Sequence, residues 1–216
     1  MNSGAKSIWN KRPPVIVGIA GGSGSGKTWL ANRLLEHFKK EACILSLDDF
    51  YRDRSNLSPA RRRQINFDHP RSIDWPALHT TLERIRNGEP ALVPIYDFST
   101  HSRGAEQRKL VPRSVLIVEG LWLFYRRSLR RLFDLSIYID CPADVRLQRR
   151  IARDCAERGH TEDSVRHQFM TCVSPMHDRF VEAQRRWADI VLTELTPGEI
   201  QAVAARIKEL TINRLP

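Results

Sequence analysis

The sequence predicts an α/β fold: a mainly parallel five-stranded sheet with helices on both faces, a β-hairpin insertion and a lid. Three observations carry that expectation. Short apolar runs recur along the chain and stop at Gly, Asp or Glu. Amphipathic stretches of helical period separate them. The first run passes through a glycine-rich turn straight into the first helix. Strands alternating with helices build parallel sheets that are covered on both faces.

Taken in order, residues 1–14 are polar and end in Pro13 and Pro14, which reads as a flexible arm. Residues 15–20 are apolar except for Gly18 and are expected to form a buried strand. Gly21, four further residues, Gly26, Lys27 and Thr28 then fit G-x-x-x-x-G-K-[ST]. After Thr28, Leu30, Leu34, Leu35 and Phe38 share a helical face. Residues 43–47 are a second strand, stopping at Asp48 and Asp49. A short helix is expected after Ser58, which serves as cap with Pro59 at the first position. Residues 75–87 read as a helix with Leu78, Leu82 and Ile85 on one face, ended by Asn87 and Gly88. Residues 92–111 read as an irregular hairpin. Strands are expected at 114–118, ending in Glu119, at 135–139, ending in Asp140, and at 190–192. Helices are expected at 142–157, with Val145, Leu147 and Ile151 inward, and at 164–170, 175–187 and 197–210. Residues 15–212 are taken as one domain, with 51–111 as an insertion.

Composition narrows the function. The chain has 216 residues, 41% hydrophobic and 28% charged, as expected of a soluble globular domain. Its formal charge of +10 comes from 35 basic and 25 acidic residues. The arginines are spread over several stretches rather than gathered in a tail. That distribution suits an enzyme handling small phosphorylated molecules better than a nucleic-acid binder. The 4 cysteines show no C-x-x-C pairing and read as buried thiols in a reducing, cytoplasmic setting. The N-terminus lacks the apolar core of a secretory signal, and no apolar run is long enough to span a bilayer.

The chemistry starts at the glycine-rich turn. Gly21, Gly22, Ser23, Gly24, Ser25 and Gly26 let the backbone curl so that its N–H groups point inward on a phosphate. The helix N-terminus adds partial positive charge. Lys27 is expected to reach the β- and γ-phosphates, and the Thr28 hydroxyl to take one position on Mg²⁺. Ligands of parallel sheets bind beyond the C-terminal strand ends, so Asp48, Asp49 and Glu119 are expected at the same rim. Asp48 is the candidate base for phosphoryl transfer to an alcohol, with Asp49 its nearest rival, and Glu119 is a candidate acid near Mg²⁺.

Longer stretches add a resemblance. GIAGGSGSGKT at 18–28, LSLDDFYRD at 45–53, NFDHP at 66–70 and PIYDFSTHSR at 94–103 are followed by VEGLW at 118–122 and RLQRRIARDCAERG at 146–159. With VSPMHDRFVEAQRRWADIVL at 173–192, they make the chain resemble the uridine kinase (uridine–cytidine kinase) family, P-loop kinases related to phosphoribulokinase. The resemblance implies transfer of the γ-phosphate of ATP or GTP to the 5′-hydroxyl of uridine or cytidine, in pyrimidine salvage. It implies Asp48 as the catalytic aspartate, also near the metal with Thr28 and Glu119. It implies that Asp68 and Arg150 hold the ribose hydroxyls. Tyr51, Tyr96, Phe98 and His101 are the implied pyrimidine pocket, while Arg153, Arg158 and Gln168 line the site, with a lid at about 154–170. By analogy with the family, the protein is a homo-oligomer, tetrameric in many members. The expected partners are a nucleoside and a nucleoside triphosphate, with no nucleic acid and no membrane.

The sequence departs from the family pattern at five positions. His160 stands in place of a lid arginine, Ser174 in place of a Lys or Arg, Phe169 in place of a tyrosine and Ala183 in place of a proline, and Arg71 follows the NFDHP stretch. These departures bear on the acceptor more than on the reaction. They keep open a kinase of another acceptor, such as ribulose 5-phosphate or nicotinamide riboside. The positive charge keeps open a nucleic-acid-stimulated ATPase.

Overall fold

The computed structural model describes residues 13–62, 65–98 and 100–214. Five strands form one sheet: β1 (Val15–Gly21), β2 (Ala42–Ser46), β5 (Val115–Gly120), β6 (Leu135–Ile139) and β7 (Ile190–Leu192). Their order is β2-β5-β1-β6-β7, and every pairing is parallel. β3 (Ala91–Asp97) and β4 (Ser102–Leu110) form a separate antiparallel hairpin with a bulge between Pro94 and Tyr96.

β1 is apolar throughout, yet its residues divide between the two faces by the period of two. Ile16 and Ala20 join Leu78, Leu82 and Ile85 of α3 (Trp75–Arg86) on one face. Val15, Val17 and Ile19 meet Leu30 and Leu34 of α1 (Lys27–Phe38) and Val203 and Ile207 of α8 (Pro197–Ile212) on the other. α3 is capped by Asp74, which accepts from the Ala77 N–H, and α8 by a capping box of Thr196 and Glu199. α2 (Pro59–Arg62) is the short helix expected after Ser58, and α4 (Arg127–Arg130) is a further single turn between β5 and β6.

Four expectations are corrected. α5 (Ala143–Arg158) does not turn Val145, Leu147 and Ile151 into the core; these are only half-buried. It buries Arg146, Arg150 and Asp154 instead, at spacings of four, because that face lies against the glycine-rich loop and needs charge rather than hydrocarbon. The region expected as two helices is one helical run: α6 (Glu162–Gln168), wide π-turns over Phe169–Val173, α7 (Ser174–Met176), π-turns over His177–Val181, and a 3₁₀ stretch to Trp187. The wide turns keep Phe169, Val173, His177 and Val181 on one buried line. The four cysteines are unpaired but half-buried rather than buried.

Residues 1–12 of the expected arm lie outside the described residues. Pro13 and Pro14 do not belong to a loose arm, since their carbonyls accept from the Arg214 guanidinium. Among the described residues, no helix is long and apolar enough to cross a membrane.

Candidate active site

β1 ends at Gly21 and α1 begins at Lys27, so the glycine-rich loop has to reverse direction in five residues. Gly24 and Gly26 do this with φ of 82° and 101°, in the left-handed region. At Gly24 a Cβ would also lie 2.5 Å from the Arg146 carbonyl oxygen, which leaves room only for glycine. Lys27 is buried, and its Nζ donates to the Gly22 carbonyl at 2.8 Å. Burial lowers the pKa of Lys27, against the pull of the Glu119 and Asp48 carboxylates. The loop opens on a cavity of about 230 Å³. Asp48, Glu119, Arg149 and Arg153 line its other walls.

Sheet register brings the acids to this cavity. Ser46 of β2 is the partner of Glu119 of β5, and Ile19 of β1 flanks Glu119 on the other side. Ser46 Oγ donates to Glu119 Oε1 at 2.6 Å, and Thr28 Oγ1 donates to Glu119 Oε2 at 3.3 Å. Ser46 Oγ also accepts from the Asp48 N–H at 3.2 Å, capping the 3₁₀ turn Leu47–Phe50 that carries both aspartates. That turn separates the two rivals. Asp48 faces the cavity, whereas Asp49 pairs with Arg108 of β4 at 3.1 Å. Burial and the nearby Glu119 carboxylate push the Asp48 pKa up to about 7, with Lys27 opposing.

The buried face of α5 supplies the cations. Arg150 Nη1 donates to Ser23 Oγ at 2.6 Å, and its Nη2 donates to Gln168 Oε1 at 3.0 Å. Arg149 donates to the Ser25 carbonyl at 3.1 Å. One carboxylate organises the rest: Asp154 pairs with Arg153 at 2.8 Å, Arg158 at 3.3 Å and Arg150 at 3.4 Å. Burial would raise the pKa of Asp154, but the Arg153 hydrogen bond and the three guanidinium charges outweigh it and hold the pKa below its ordinary value.

A ring cluster stands beside this charged wall. Tyr51 follows the aspartate turn and meets Tyr96 at 5.2 Å, Phe67 at 5.9 Å and Phe98 at 6.2 Å between centroids. Phe67 and His101 stack at 4.3 Å and 14°. Arg103 ties the hairpin to this region through the Tyr51 carbonyl at 2.7 Å and Asp74 at 3.1 Å. Phe98 is half exposed beneath the Arg158 guanidinium, 5.7 Å away. None of these rings lines the cavity of the glycine-rich loop. Asp68 lines a second, much smaller cavity together with Ser23. Its pKa is raised by burial, with Arg150 opposing.

The predicted residues therefore form two neighbouring groups. Lys27, Thr28, Asp48, Glu119 and Arg153 share the loop cavity. Tyr51, Tyr96, Phe98 and His101 share the ring cluster, while Arg150 and Gln168 bond each other between the loop and α6. Sequence reading missed Ser46, Phe67, Arg149 and Asp154, although all four sit inside the quoted stretches. Position in a strand or helix, not residue type, gives them their places. Of the departures, Phe169 is explained by packing: it is buried with the Arg146 guanidinium 5.6 Å above its ring. Arg71 is exposed, pairs with no carboxylate among the described residues and does not line the loop cavity.

Residues 16–201 match the Phosphoribulokinase / Uridine kinase family. The chain belongs to that family. It is 42% identical over 182 residues to a uridine kinase of Brevibacillus brevis, covering 84% of this chain and 85% of that protein. It is 38% identical over 198 residues to a uridine kinase of Deinococcus deserti, covering 90% and 96%. The fold is shared with phosphoribulokinase from Rhodobacter spheroides at a TM-score of 0.62 and 18% identity, over 84% of this chain and 70% of that one. It is also shared with D-glycerate 3-kinase from Cryptococcus neoformans at a TM-score of 0.57 and 23% identity, over 80% and 81%.

Proposed function

We propose that the chain is a nucleoside kinase that transfers the γ-phosphate of ATP to the 5′-hydroxyl of uridine or cytidine, with GTP as an alternative donor. The observation that supports this most is the junction of two groups at Asp48. The Asp48 carboxylate faces the cavity of the phosphate loop, and three residues later Tyr51 begins the ring cluster. A triphosphate on the loop and a flat base among the rings would meet at that carboxylate. The uridine kinase relatives agree with this reading.

In the proposed step the 5′-oxygen attacks the γ-phosphorus, the bond to the β,γ-bridging oxygen breaks and ADP leaves. Asp48 orients the hydroxyl and takes its proton; a pKa near 7 suits a carboxylate that must do so at neutral pH. Lys27 exchanges the Gly22 carbonyl for the β- and γ-phosphates. Arg153 and Arg158, held by Asp154, meet charge developing on the transferred group. Asp68 and Arg150 hold the ribose diol.

The oxygen donors Thr28 Oγ1, Glu119 and Asp48 on one cavity suit a hard divalent cation such as Mg²⁺. When bound, it neutralises the β- and γ-oxygens. The partners in this reading are the nucleoside and the triphosphate alone, and oligomerisation follows only by family analogy. A panel of pyrimidine nucleosides, purine nucleosides and sugar phosphates, assayed with Mg·ATP and Mg·GTP, tests the reading. Phosphorylation of uridine or cytidine is expected. Turnover restricted to a sugar phosphate would overturn it.

A further inference from the structure

Beneath the phosphate loop lie two buried polar side chains that the proposed step does not use. His177 is 9% exposed and Arg146 3% exposed. Among the described residues, His177 Nδ1 and Arg146 Nη1 both lack a hydrogen-bond partner. Both atoms converge on Gly22. A Cβ built there would lie 2.9 Å from His177 Nδ1, 2.9 Å from Arg146 Nη1 and 2.7 Å from Arg146 Cδ. Gly22 is also the residue whose carbonyl holds Lys27. The far ends of the pair are anchored. Arg146 Nε donates to the Cys141 carbonyl at 3.0 Å. His177 Nε2 lies 3.4 Å from Glu182 Oε2, which also accepts from the Tyr138 hydroxyl at 3.2 Å.

We infer that His177 and Arg146 are positioning residues for the donor site: anchored at their far ends by Glu182 and the Cys141 carbonyl, they close on Gly22 from two elements and together fix it and the first turn of the loop. The electrostatics agree. His177 faces Arg146 from α5, Asp178 and Glu182 from its own helical run, Tyr138 from β6 behind Glu182, and Asp68 across the smaller cavity. Burial and Arg146 lower its pKa, and the two carboxylates only partly offset them. A protonated imidazole would set a second cation against Arg146 beside Gly22. Donor affinity therefore falls as His177 takes up a proton, while the ring cluster of the acceptor site, carried by Tyr51 and the β3–β4 hairpin, lies on other elements. A residue with only a packing role would shift the melting temperature and leave both Michaelis constants and their pH dependence unchanged.

The inference rests on the loop's being the donor site, and the test separates the two. KM for Mg·ATP and for uridine is measured from about pH 6 to about pH 8, the range in which an imidazole titrates, for the wild type, His177→Gln and His177→Phe. For His177→Phe, KM for ATP should rise about tenfold, as for loss of the one hydrogen bond to Glu182 that anchors the ring, with KM for uridine within about twofold. In His177→Gln, which keeps a neutral N–H donor for Glu182, ATP KM should stay near wild type at the alkaline end and lose the extra rise that the wild type shows at the acid end. The acid-base behaviour of ATP itself is common to all three proteins and cancels. Equal changes in both KM values, or an ATP pH profile identical in wild type and His177→Gln, would overturn the inference. Failure of the wild type to bind ATP at all would instead overturn the donor-site reading. Imidazole ¹⁵N spectra of the wild-type protein decide the point even where variants misfold: a neutral His177 with its proton on Nε2 at neutral pH is expected, and an imidazolium contradicts it.

Discussion

Thr28 Oγ1 donates to Glu119 Oε2 at 3.3 Å, across 91 residues of sequence. Ser46 holds the other Glu119 oxygen at 2.6 Å, so the carboxylate is fixed from two strands and a helix. A carboxylate fixed beside the loop hydroxyl is placed to share a divalent cation with it. Glu119→Gln keeps the side-chain shape and one acceptor oxygen, turns the other position into a donor, and removes the charge. Its turnover should fall by about 10², and the Mg²⁺ concentration needed for half-maximal rate should rise. Metal-free triphosphate binding, followed by calorimetry, should change little. An unaltered Mg²⁺ requirement would remove Glu119 from the metal site.

Asp48 should be needed for turnover and costly for stability. Asp48→Asn should leave nucleotide binding intact and lower kcat by about 10²–10⁴, the range for a positioned general base. In the wild type, kcat/KM for the nucleoside should fall as pH drops below about 7, because only ionised Asp48 accepts the proton. The stability effect has the opposite sense. The Asp48 pKa is raised from 3.8 to about 7, so its contribution is fully present below about pH 4 and is lost as pH rises through about 7. Asp48→Asn should therefore melt higher than wild type at about pH 8, and that difference should shrink toward about pH 4. A variant with near-normal kcat would exclude Asp48 as the base.

Most of the fold was legible because its signals are local. The apolar runs, the loop motif and the proline and glycine stops place nearly every strand and helix. Two features were not local. Arg146, Arg150 and Asp154 look like a solvated helix face in sequence, and only the glycine-rich loop packed against them makes that face the buried one. The π-turns of 169–173 and 177–181 have no single-residue signature; they follow from keeping Phe169, Val173, His177 and Val181 on one line against the core. In the site, residue type and spacing alone left Asp49 a rival to Asp48; the 3₁₀ turn that faces Asp48 to the cavity and the Arg108 partner of Asp49 separate them.

Asp154 is the hub of three arginines and is 2% exposed. Removing one partner from a buried ionic cluster leaves the others uncompensated and costs about 3–5 kcal/mol. Asp154→Ala should lower stability on that scale and reduce kcat more than it raises KM for ATP, since in the proposed step Arg153 and Arg158 act on the transition state. Denaturant melts and steady-state kinetics at low temperature, where the variant remains folded, read the two effects. A loss of stability with unchanged kcat would make Asp154 a purely structural residue.

Asp68 is expected to accept from the ribose hydroxyls, and burial already raises its pKa. A 2′-deoxynucleoside would leave that acceptor unpaired. Sites built to bond a hydroxyl reject analogues lacking it by up to ~10⁴-fold. The ratio of kcat/KM for uridine over deoxyuridine should be large in the wild type and should collapse in Asp68→Asn through loss of uridine activity. Equal kcat/KM for the two nucleosides in the wild type would count against the role.

The central claim is that the loop cavity and the ring cluster serve one transfer to a nucleoside 5′-hydroxyl. Incubation with Mg·ATP and uridine, followed by ³¹P NMR, tests it most directly. ADP is expected together with a new phosphomonoester whose phosphorus couples to the 5′-methylene protons. ADP and inorganic phosphate with uridine unchanged, or a phosphoryl group on a ring hydroxyl of the sugar, would contradict it.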